Sequence, residues 1–554
     1  MPESRTQAPS PAVTRVALRA IVIVYIVLGA MYAVGTPPWQ VPDEPAHYNY
    51  VRHVAIHGTL PELQQGDYPA DYLEEIKARR FPADLSIDPI RYESHQPPLY
   101  YILAATVRRV AVSFDLPELV VLRAFSVFLG AMTLLVAFRV VQALVGPGGE
   151  GDPVLALGTV AFAAAVPMHV AMTAAVNNDA LSGLLLVGIA WRLAATGSGD
   201  WTPRRALGIG ALLGLATLTK MQSYVAFALA GAALLWDLGY SQRWRPHGGW
   251  RRVAKLAAIM FGTALVMSFP WLLRNARLYG VSDPLGLARH DQVVQGQLTT
   301  AAFIAEHGWV AWATAFARTT FRSFWGVFGW MGVPMPPRIY QALGGLSVLA
   351  AYGVGLYVWR ARRERGCGLR VAGHALGEGK GLQIAGGRLQ AGERPLTEAC
   401  NLPPVACHRG ATTRGTRYTV RGLVLLLVWV AGTVAGYLWW NMSYLQHQGR
   451  YLFPALVPLG LAFTLGLREV YRRPPRYLFA ALGVAIAMLL VVGSVRGDVA
   501  WFAVGLVALA AVGIRAAGSL EGRWPGSAMA LTYAALAALT LLALPTYVIP
   551  CLAP

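Results

Sequence analysis

The sequence has few charged residues for its length of 554. Only 14% of its residues are Asp, Glu, Lys or Arg, whereas a soluble globular protein has about 25%. This shortage excludes an ordinary soluble domain of this size. Cysteine is also scarce, and three of the four cysteines fall between Cys367 and Cys407, within one predicted cytoplasmic loop. A secreted disulfide scaffold is therefore excluded as well.

Long apolar runs take the place of the missing charge, and 55% of the residues are hydrophobic. Many runs approach the roughly 20 residues that a helix needs to cross a bilayer. We therefore predict an all-α polytopic membrane protein with about thirteen transmembrane helices and interfacial helices in its first external loop. The predicted spans are 16–34, 119–144, 153–175, 180–196, 206–238 as two short helices that meet near Lys220, 253–273, 339–359, 422–440, 451–467, 477–495, 498–515 and 526–549.

Basic residues outnumber acidic ones, which gives a net charge of +19. We attribute this excess to cytoplasmic loops, where Lys and Arg fix the orientation of membrane helices, and not to a nucleic-acid partner. Arg5, Arg15 and Arg19 then place the N-terminus in the cytoplasm. Segments 36–118 and 274–338 become external loops of a multi-pass protein of the cell membrane, surrounded by membrane lipids.

Composition divides the chain into three parts. Residues 1–359 form a predicted N-terminal transmembrane module that carries both external loops, and residues 422–554 form the C-terminal transmembrane helices. Between them, residues 360–421 are basic, rich in Gly and Arg and without apolar periodicity, so we predict a disordered cytoplasmic loop there. In the first external loop, the apolar but arginine-containing stretch 97–114 predicts a helix lying at the membrane interface.

Two acidic residues and a histidine stand directly after the first predicted span, in the stretch VPDEPAHYNYVRH. One interpretation of Asp43 and Glu44 is a solvated helix end. Flanking prolines restrict their backbone, however, and His47 stands beside them. The combination favours a site over two independent surface carboxylates.

A polar triplet, Asn177, Asn178 and Asp179, ends the third predicted span. The predicted topology places it on the same external face as Asp43. Asn and Asp also satisfy free N–H groups at helix N-termini. A helix cap and a functional site are both consistent with the triplet, because a capping residue can still face a cavity.

Further polar residues are predicted on the same face. They are His95 in HQPPLYY, Lys220 at a helix junction, Arg274 where the seventh span emerges, and His447 and Arg450 in a short external turn. Arg274 has the alternative role of a side chain that reaches back to the lipid head groups. An external arginine beside a histidine goes against the positive-inside trend, which favours a functional role for Arg450.

Carboxylates and cations on one external face suit a reaction with an anionic lipid head group. Arginine binds phosphate through paired donors and lysine binds it as a point charge, while a carboxylate takes the proton of an acceptor hydroxyl or amine. A divalent metal held by Glu44 and His47, together with Asp179 or His95, is an alternative. No full ligand set is visible, so we predict no metal and no cofactor.

Several motifs, taken in order, resemble those of the C-type-fold membrane glycosyltransferases, such as the protein O-mannosyltransferases and aminoarabinose transferases. The motifs similar to theirs are the acidic pair after the first span, HQPPLYY at His95–Tyr101, Asn178-Asp179 and LGLATLTK ending at Lys220. Two more, SFWGVFGWMG (Ser323–Gly332) and QGRYLFPALVPL (Gln448–Leu459), resemble a bacterial branch of uncharacterised predicted membrane proteins allied to this superfamily.

The resemblance implies a sugar donor carried on a polyprenyl phosphate, transfer on the outer face of the membrane and inversion at the anomeric carbon. It implies Asp43 as the base, Glu44 as the alternate base and Asp179 as a residue that orients the acceptor or the base. The candidate substrate-binding residues are His47, His95, Asn178, Lys220, Arg274, His447 and Arg450. Among these, Lys220, Arg274 and Arg450 would hold the donor phosphate. The acceptor is left open between a glycan, a lipid and a protein.

A transporter or flippase of lipid-linked glycans and a non-catalytic envelope-assembly protein are the alternatives. Transporters place charged residues and broken helices near the bilayer midplane and carry paired repeats. Here the polar residues gather at one predicted face, and the sequence shows no internal repeat. An assembly protein would not account for the polar cluster. The sequence therefore favours sugar transfer.

Overall fold

The computed structural model describes residues 9–145, 151–197, 200–240, 249–377, 420–472, 474–523 and 526–554. Helices dominate these ranges, and one antiparallel hairpin pairs β1 (Val327–Phe328) with β2 (Val333–Pro334). The helices are α1 (Pro11–Gly35), α2 (Glu44–His57), α3 (Ala70–Ala78), α4 (Leu99–Ser113), α5 (Glu118–Leu144), α6 (Pro153–Ala165), α7 (Pro167–Thr173), α8 (Asp179–Ala194), α9 (Pro203–Thr217), α10 (Val225–Tyr240), α11 (Gly249–Tyr279), α12 (Leu287–Val293), α13 (Thr300–Trp325), α14 (Pro337–Gly377), α15 (Val420–Ser443), α16 (Leu456–Arg472), α17 (Arg476–Arg496), α18 (Trp501–Arg523), α19 (Ser527–Ala543) and α20 (Ile549–Leu552). Short 3₁₀ turns lie at Tyr92–His95, Met221–Tyr224 and Gly449–Ala455.

The prediction of an all-α polytopic membrane protein is confirmed. Within the described ranges, nine helical segments are long and apolar enough to cross a membrane, or ten if the bent pair α6 and α7 forms one span. The predicted total of about thirteen spans is not confirmed. The predicted spans outside these ten correspond to α8, α9 and α10, which have 16, 15 and 16 residues and so fall short of the roughly 20 that a span needs.

Two breaks shape the helices near the cavities described below. The stretch 206–238 forms two helices, as predicted, and Lys220 lies between α9 and α10 in an extended conformation. The stretch 153–175, predicted as one span, is instead α6 and α7, which meet at an angle of 69°. Pro167 explains this break, because proline lacks the N–H of a helical residue and disfavours helical geometry at the residue before it.

The first part of the segment predicted as a cytoplasmic loop is helical. Helix α14 continues to Gly377, past the predicted end of the span at 359, so residues 360–377 are helical rather than loop. Residues 378–419 lie outside the described residues, and the prediction of disorder there stays a prediction. Helix α4 occupies the stretch that the sequence predicts to be an interfacial helix.

Close backbone contact holds α16 against α14. A Cβ atom placed on Gly353 of α14 would collide with the carbonyl group of Gly466 on α16, and one placed on Gly466 would collide with that of Ala350. Small residues of this kind allow two membrane helices to approach closely. The contact fixes α16 and therefore the 3₁₀ turn at its start, which carries Arg450.

A buried ion pair ties the segment after the first helix to α5. The guanidinium of Arg123 on α5 contacts both carboxylate oxygens of Glu44 on α2, at 2.8 and 2.6 Å, and both residues are at most 1% exposed. Arg123 also donates to the carbonyl oxygens of Ala33 and Thr36 at the end of α1. The chain is thus clamped where it leaves the first helix, and the position of Asp43 follows.

We expect Glu44→Gln to lower the free energy of unfolding by about 3–5 kcal/mol, because it leaves the buried charge of Arg123 without a counter-ion. Thermal unfolding of the detergent-solubilised protein measures the change. Asp88→Asn is the matched control, since Asp88 pairs with Arg52 at an exposed site where loss of the pair costs less than about 1 kcal/mol. Equal destabilisation by the two variants would contradict the structural role of Glu44.

Candidate active site

Two cavities meet at Asp43. Cavity A, about 400 Å³, lies between α8, α10 and α15, and its wall includes Asp179, Lys220 and Tyr437. Cavity B, about 340 Å³, lies between α3, α12 and the turn before α16, and its wall includes Lys77 and Gln448. The residues that line both cavities are Pro42, Asp43, Glu93, His290, Trp440, Arg450 and Tyr451. A group on this shared wall is positioned to contact molecules in either space.

Asp43 is held by two hydrogen-bond donors. Arg450 Nη2 lies 2.7 Å from Asp43 Oδ2, and the hydroxyl of Tyr92 donates to Oδ1 at 2.8 Å. Burial alone would raise the pKa of Asp43, but the charge of Arg450, the nearby His47 and these hydrogen bonds outweigh it and lower the pKa. The carboxylate is therefore ionised at neutral pH.

The backbone presents Asp43 to the cavities. Asp43 precedes α2 with φ of 69°, in the left-handed region, and its side chain makes no hydrogen bond that caps the helix. Aspartate and asparagine enter this region more readily than other non-glycine residues. Strained residues cluster at functional sites, and here the strain leaves the carboxylate free to face Arg450.

Arg450 is positioned by the turn that carries it. The N–H of Gly449 donates to Ser323 Oγ on α13 at 2.7 Å. A Cβ atom at Gly449 would collide with the α13 backbone, so glycine is required for this approach. The Arg450 side chain is 9% exposed, and its guanidinium lies 5.4 Å from the ring of Tyr451.

A second acid–cation pair faces cavity A. Lys220 Nζ lies 2.7 Å from Asp179 Oδ1, with side-chain exposures of 16% and 29%. The break between α9 and α10 brings Lys220 to the start of α8, where Asp179 sits. Asp43, Asp179, Lys220 and Arg450 thus come together around cavity A, on one face as the sequence predicted.

The two predicted histidines of the first external loop also line cavity A. His47 Nδ1 lies 2.7 Å from the Tyr101 hydroxyl, and burial lowers the pKa of His47 although several carboxylates are near. His95 donates through Nδ1 to the carbonyl oxygen of Tyr92 at 3.1 Å, and its ring lies 4.7 Å from that of His290. Burial and the neighbouring His290 lower the pKa of His95 to about 3.

Glu44, predicted as an alternate base, does not line either cavity. Both of its oxygens are engaged by Arg123, and the N–H of Val176 also donates to Oε1 at 3.1 Å. This arrangement gives Glu44 a structural role. With both oxygens engaged, Glu44 is not available as a ligand of a divalent metal. Among the described residues, no group of three His, Cys, Asp or Glu side chains is suited to a metal ion.

Asn178 and Arg274, predicted to bind substrate, face other partners. Asn178 is fully buried and donates to Gln96 Oε1 and to the carbonyl oxygen of Thr219. Arg274 donates to the carbonyl oxygens of Leu60 and Pro61 at 3.2 and 2.7 Å. Neither residue lines cavity A or B. Arg274 holds the backbone at Leu60 and Pro61 in place, and Asn178 holds the Gln96 side chain and the backbone at Thr219.

His447 is the third candidate that the structure places away from the cavities. Its ring packs edge-on against Trp312 and Phe316 of α13, with centroid distances of 5.9 and 5.2 Å. It is 6% exposed. His447 therefore anchors the turn that precedes Arg450 rather than facing a ligand.

Sequence reasoning missed several residues of the shared wall. Glu93, Trp440 and His290 line both cavities beside Asp43, and His290 comes from α12. The sequence did carry one signal, because Glu93 stands two residues before His95, directly upstream of the HQPPLYY motif. His290 had no such signal, since only the fold brings α12 close to His95.

Comparisons with known proteins find likeness in structure only. No protein-family model matches the chain, and no curated protein matches it. Among solved structures, it is similar to ArnT from Cupriavidus metallidurans bound to undecaprenyl phosphate, with 15% identity, a TM-score of 0.49 and coverage of 97% of this chain and 77% of that one.

Two further solved structures show a weaker likeness. For the Archaeoglobus fulgidus oligosaccharyltransferase tethered to an acceptor peptide, the identity is 11%, the TM-score 0.44 and the coverage 94% of this chain and 55% of that one. For the S. cerevisiae protein O-mannosyltransferase Pmt1-Pmt2 complex bound to the sugar donor, the identity is 16% and the TM-score 0.35. The match covers 53% of this chain and 39% of that one. At these identities and TM-scores, an activity for this chain has to be argued from its own side chains.

We expect His95→Asn to reduce the loss of stability on acidification. Below about pH 6.5 the unfolded His95 takes up a proton, whereas the folded ring, with a pKa of about 3, does not. The free energy of unfolding then falls by up to about 1.4 kcal/mol for each pH unit until the folded ring also protonates. Asparagine keeps a donor near the position of Nδ1 and does not titrate.

The measurement is the melting temperature in detergent from about pH 7 to about pH 5. His307→Asn is the matched control, because His307 is exposed on α13. Its replacement should leave the change of melting temperature with pH as it is in the parent protein. If the melting temperature changes with pH equally in the parent protein and in His95→Asn, His95 does not resist protonation in the folded state.

Proposed function

We propose that the protein transfers a sugar from a polyprenyl-phosphate-linked donor to an envelope acceptor, with Asp43 as the base. The observation that carries this proposal is the position of Asp43 on the wall shared by two cavities. A base in a transfer reaction has to contact the acceptor while the donor occupies the neighbouring space. Cavity A is assigned to the donor and cavity B to the acceptor.

The donor phosphate is assigned to Lys220 and Arg450. Both cations line cavity A, and each is paired with a carboxylate, Asp179 and Asp43 respectively. An arriving phosphate competes for these cations, since charge-assisted bonds to phosphate are among the strongest hydrogen bonds. The cations also stabilise the negative charge that develops on the leaving phosphate.

The lipid chain of the donor is assigned to the part of cavity A between α10 and α15. Val225 on α10 and Gly432, Gly436 and Tyr437 on α15 line this part. Gly436 leaves open space on the surface of α15, whereas Val225 packs against Gly432; Val225 and Tyr437 contribute apolar surface. A polyprenyl chain needs such an apolar path, whereas its phosphate needs the cations at the end of it.

The proposed step forms one bond and breaks one. The acceptor oxygen attacks the anomeric carbon from the side opposite the phosphate, and its proton passes to the Asp43 carboxylate. The bond between the anomeric carbon and the phosphate oxygen breaks, and its electron pair leaves with the polyprenyl phosphate. Attack from opposite the leaving group inverts the anomeric configuration. We place the reaction on the outer face of the membrane, with the N-terminus in the cytoplasm, as the distribution of basic residues predicts.

We expect Asp43→Asn to lower the transfer rate about a hundredfold or more, because removal of a general base typically costs this much. Asparagine keeps the size of the side chain and tolerates the left-handed backbone. The assay follows the release of polyprenyl phosphate from metabolically labelled lipid-linked sugar in membranes of the source cells. Asp88→Asn makes the same change at an exposed site and should transfer at the parental rate. Normal transfer by a folded Asp43→Asn protein would exclude Asp43 as the base.

We expect Lys220→Gln to weaken the binding of undecaprenyl phosphate about tenfold to a hundredfold. The change removes a charged hydrogen-bond donor and leaves the negative charge of Asp179 to repel the phosphate. Binding is measured as the rise in melting temperature with added lipid. Lys255→Gln, at an exposed lysine on α11, should bind like the parent protein. Parental affinity in Lys220→Gln would remove Lys220 from the donor site.

A further inference from the structure

Cavity B carries buried polar atoms that lack hydrogen-bond partners. Within the part of the chain that the structure describes, no partner is found for Glu93 Oε2, Gln448 Oε1, Arg450 Nε or Trp440 Nε1. All four residues line cavity B. Buried polar atoms are normally satisfied, and each exception requires an explanation. A ligand in cavity B that supplies the missing partners is such an explanation.

The unsatisfied atoms include both hydrogen-bond donors and hydrogen-bond acceptors. Glu93 Oε2 and Gln448 Oε1 accept hydrogen bonds, whereas Arg450 Nε and Trp440 Nε1 donate them. A hydroxyl group does both, because it has one donor hydrogen and two acceptor lone pairs. An acyl chain would leave all four atoms unsatisfied, at a cost in free energy for each. A ligand rich in hydroxyl groups satisfies acceptors and donors together.

Neutral amides extend this pattern along the cavity wall. Gln448 Nε2 donates to Gln446 Oε1 at 2.6 Å, and Gln446 Nε2 donates to Gln297 Oε1 at 3.4 Å. Lys77 and Arg450 are the cations among the residues that line cavity B. Arg450 is assigned to the donor phosphate, and Lys77 is paired with Glu74. A second phosphate group in cavity B would have to compete with Glu74 for Lys77 alone, which favours a neutral ligand there.

The lining also favours a sugar over a peptide. Tyrosine and tryptophan present flat apolar faces with a polar edge, and Tyr68, Trp330 and Trp440 contribute such rings to cavity B. A peptide binds well where a strand edge offers free backbone groups. At cavity B the extended segments near Leu298 and Leu445 already pair with each other, with Leu445 N donating to Leu298 O at 3.0 Å.

We propose that cavity B binds the acceptor as a neutral, hydroxyl-rich saccharide, so that a sugar hydroxyl is the group brought to Asp43. This inference rests on the proposed sugar transfer and narrows its acceptor from three classes to one. Gln448 is the residue most specific to it, because Gln448 lines cavity B but not cavity A.

The test uses the full chain in lipid nanodiscs and saturation-transfer NMR. The probes are neutral di- and trisaccharides of hexoses and pentoses, a short peptide containing Ser and Thr, and short-chain phosphatidic acid. We expect saccharide binding, weakened about fivefold to tenfold by Gln448→Leu, which removes the neutral hydrogen bonds of one amide. Gln65→Leu is the matched control, because Gln65 is exposed and lines neither cavity, and it should leave saccharide binding unchanged.

The inference is overturned if saccharides give no signal, if the peptide or phosphatidic acid binds in their place, or if Gln65→Leu weakens saccharide binding as much as Gln448→Leu. Undecaprenyl phosphate, tested on the same samples by melting temperature, separates this failure from that of the transferase itself. If undecaprenyl phosphate binds while saccharides do not, the acceptor assignment is wrong and the donor site stands. If undecaprenyl phosphate also fails to bind, both proposals are wrong.

Discussion

The buried pair of Glu44 and Arg123 is the interaction on which the rest of the site depends. Two buried charges are tolerated only when each neutralises the other, and Arg123 also binds carbonyl oxygens at the end of α1. The chain therefore leaves the first helix in one fixed direction. Adjacent carboxylates take opposite environments as a result: Glu44 is enclosed among helices, and Asp43 stands on the wall of two cavities.

The pairs Asp43–Arg450 and Asp179–Lys220 apply the same principle to the proposed donor site. A cation in a partly buried cavity needs a counter-ion, and a carboxylate on the same wall supplies it without a ligand. These acids also keep the cations oriented towards cavity A. A phosphate that enters then finds donors already in place, and little side-chain freedom is lost when they bind it.

The sequence predicted the residues whose signal is local. Asp43, Asp179, Lys220 and Arg450 stand beside helix ends and breaks, so the order of the spans was enough to place them on one face. The site residues that the sequence assigned wrongly have a common cause. Arg123, which engages Glu44, lies 79 positions away in sequence, and Arg274 binds backbone carbonyl oxygens, which any sequence provides. Packing determines which distant side chains and which backbone carbonyl groups a residue contacts, and a hydrophobicity pattern does not indicate these contacts.

The lowered pKa of Asp43 fits the role of a base once the donor is considered. In the free protein, Arg450 stabilises the ionised carboxylate and so weakens its affinity for a proton. In the proposed reaction, the donor phosphate shares the charge of Arg450, and its own negative charge lies near Asp43. Both effects raise the proton affinity of Asp43. The base therefore becomes stronger when the donor is bound, which couples proton removal from the acceptor to the presence of the sugar that the acceptor is to receive.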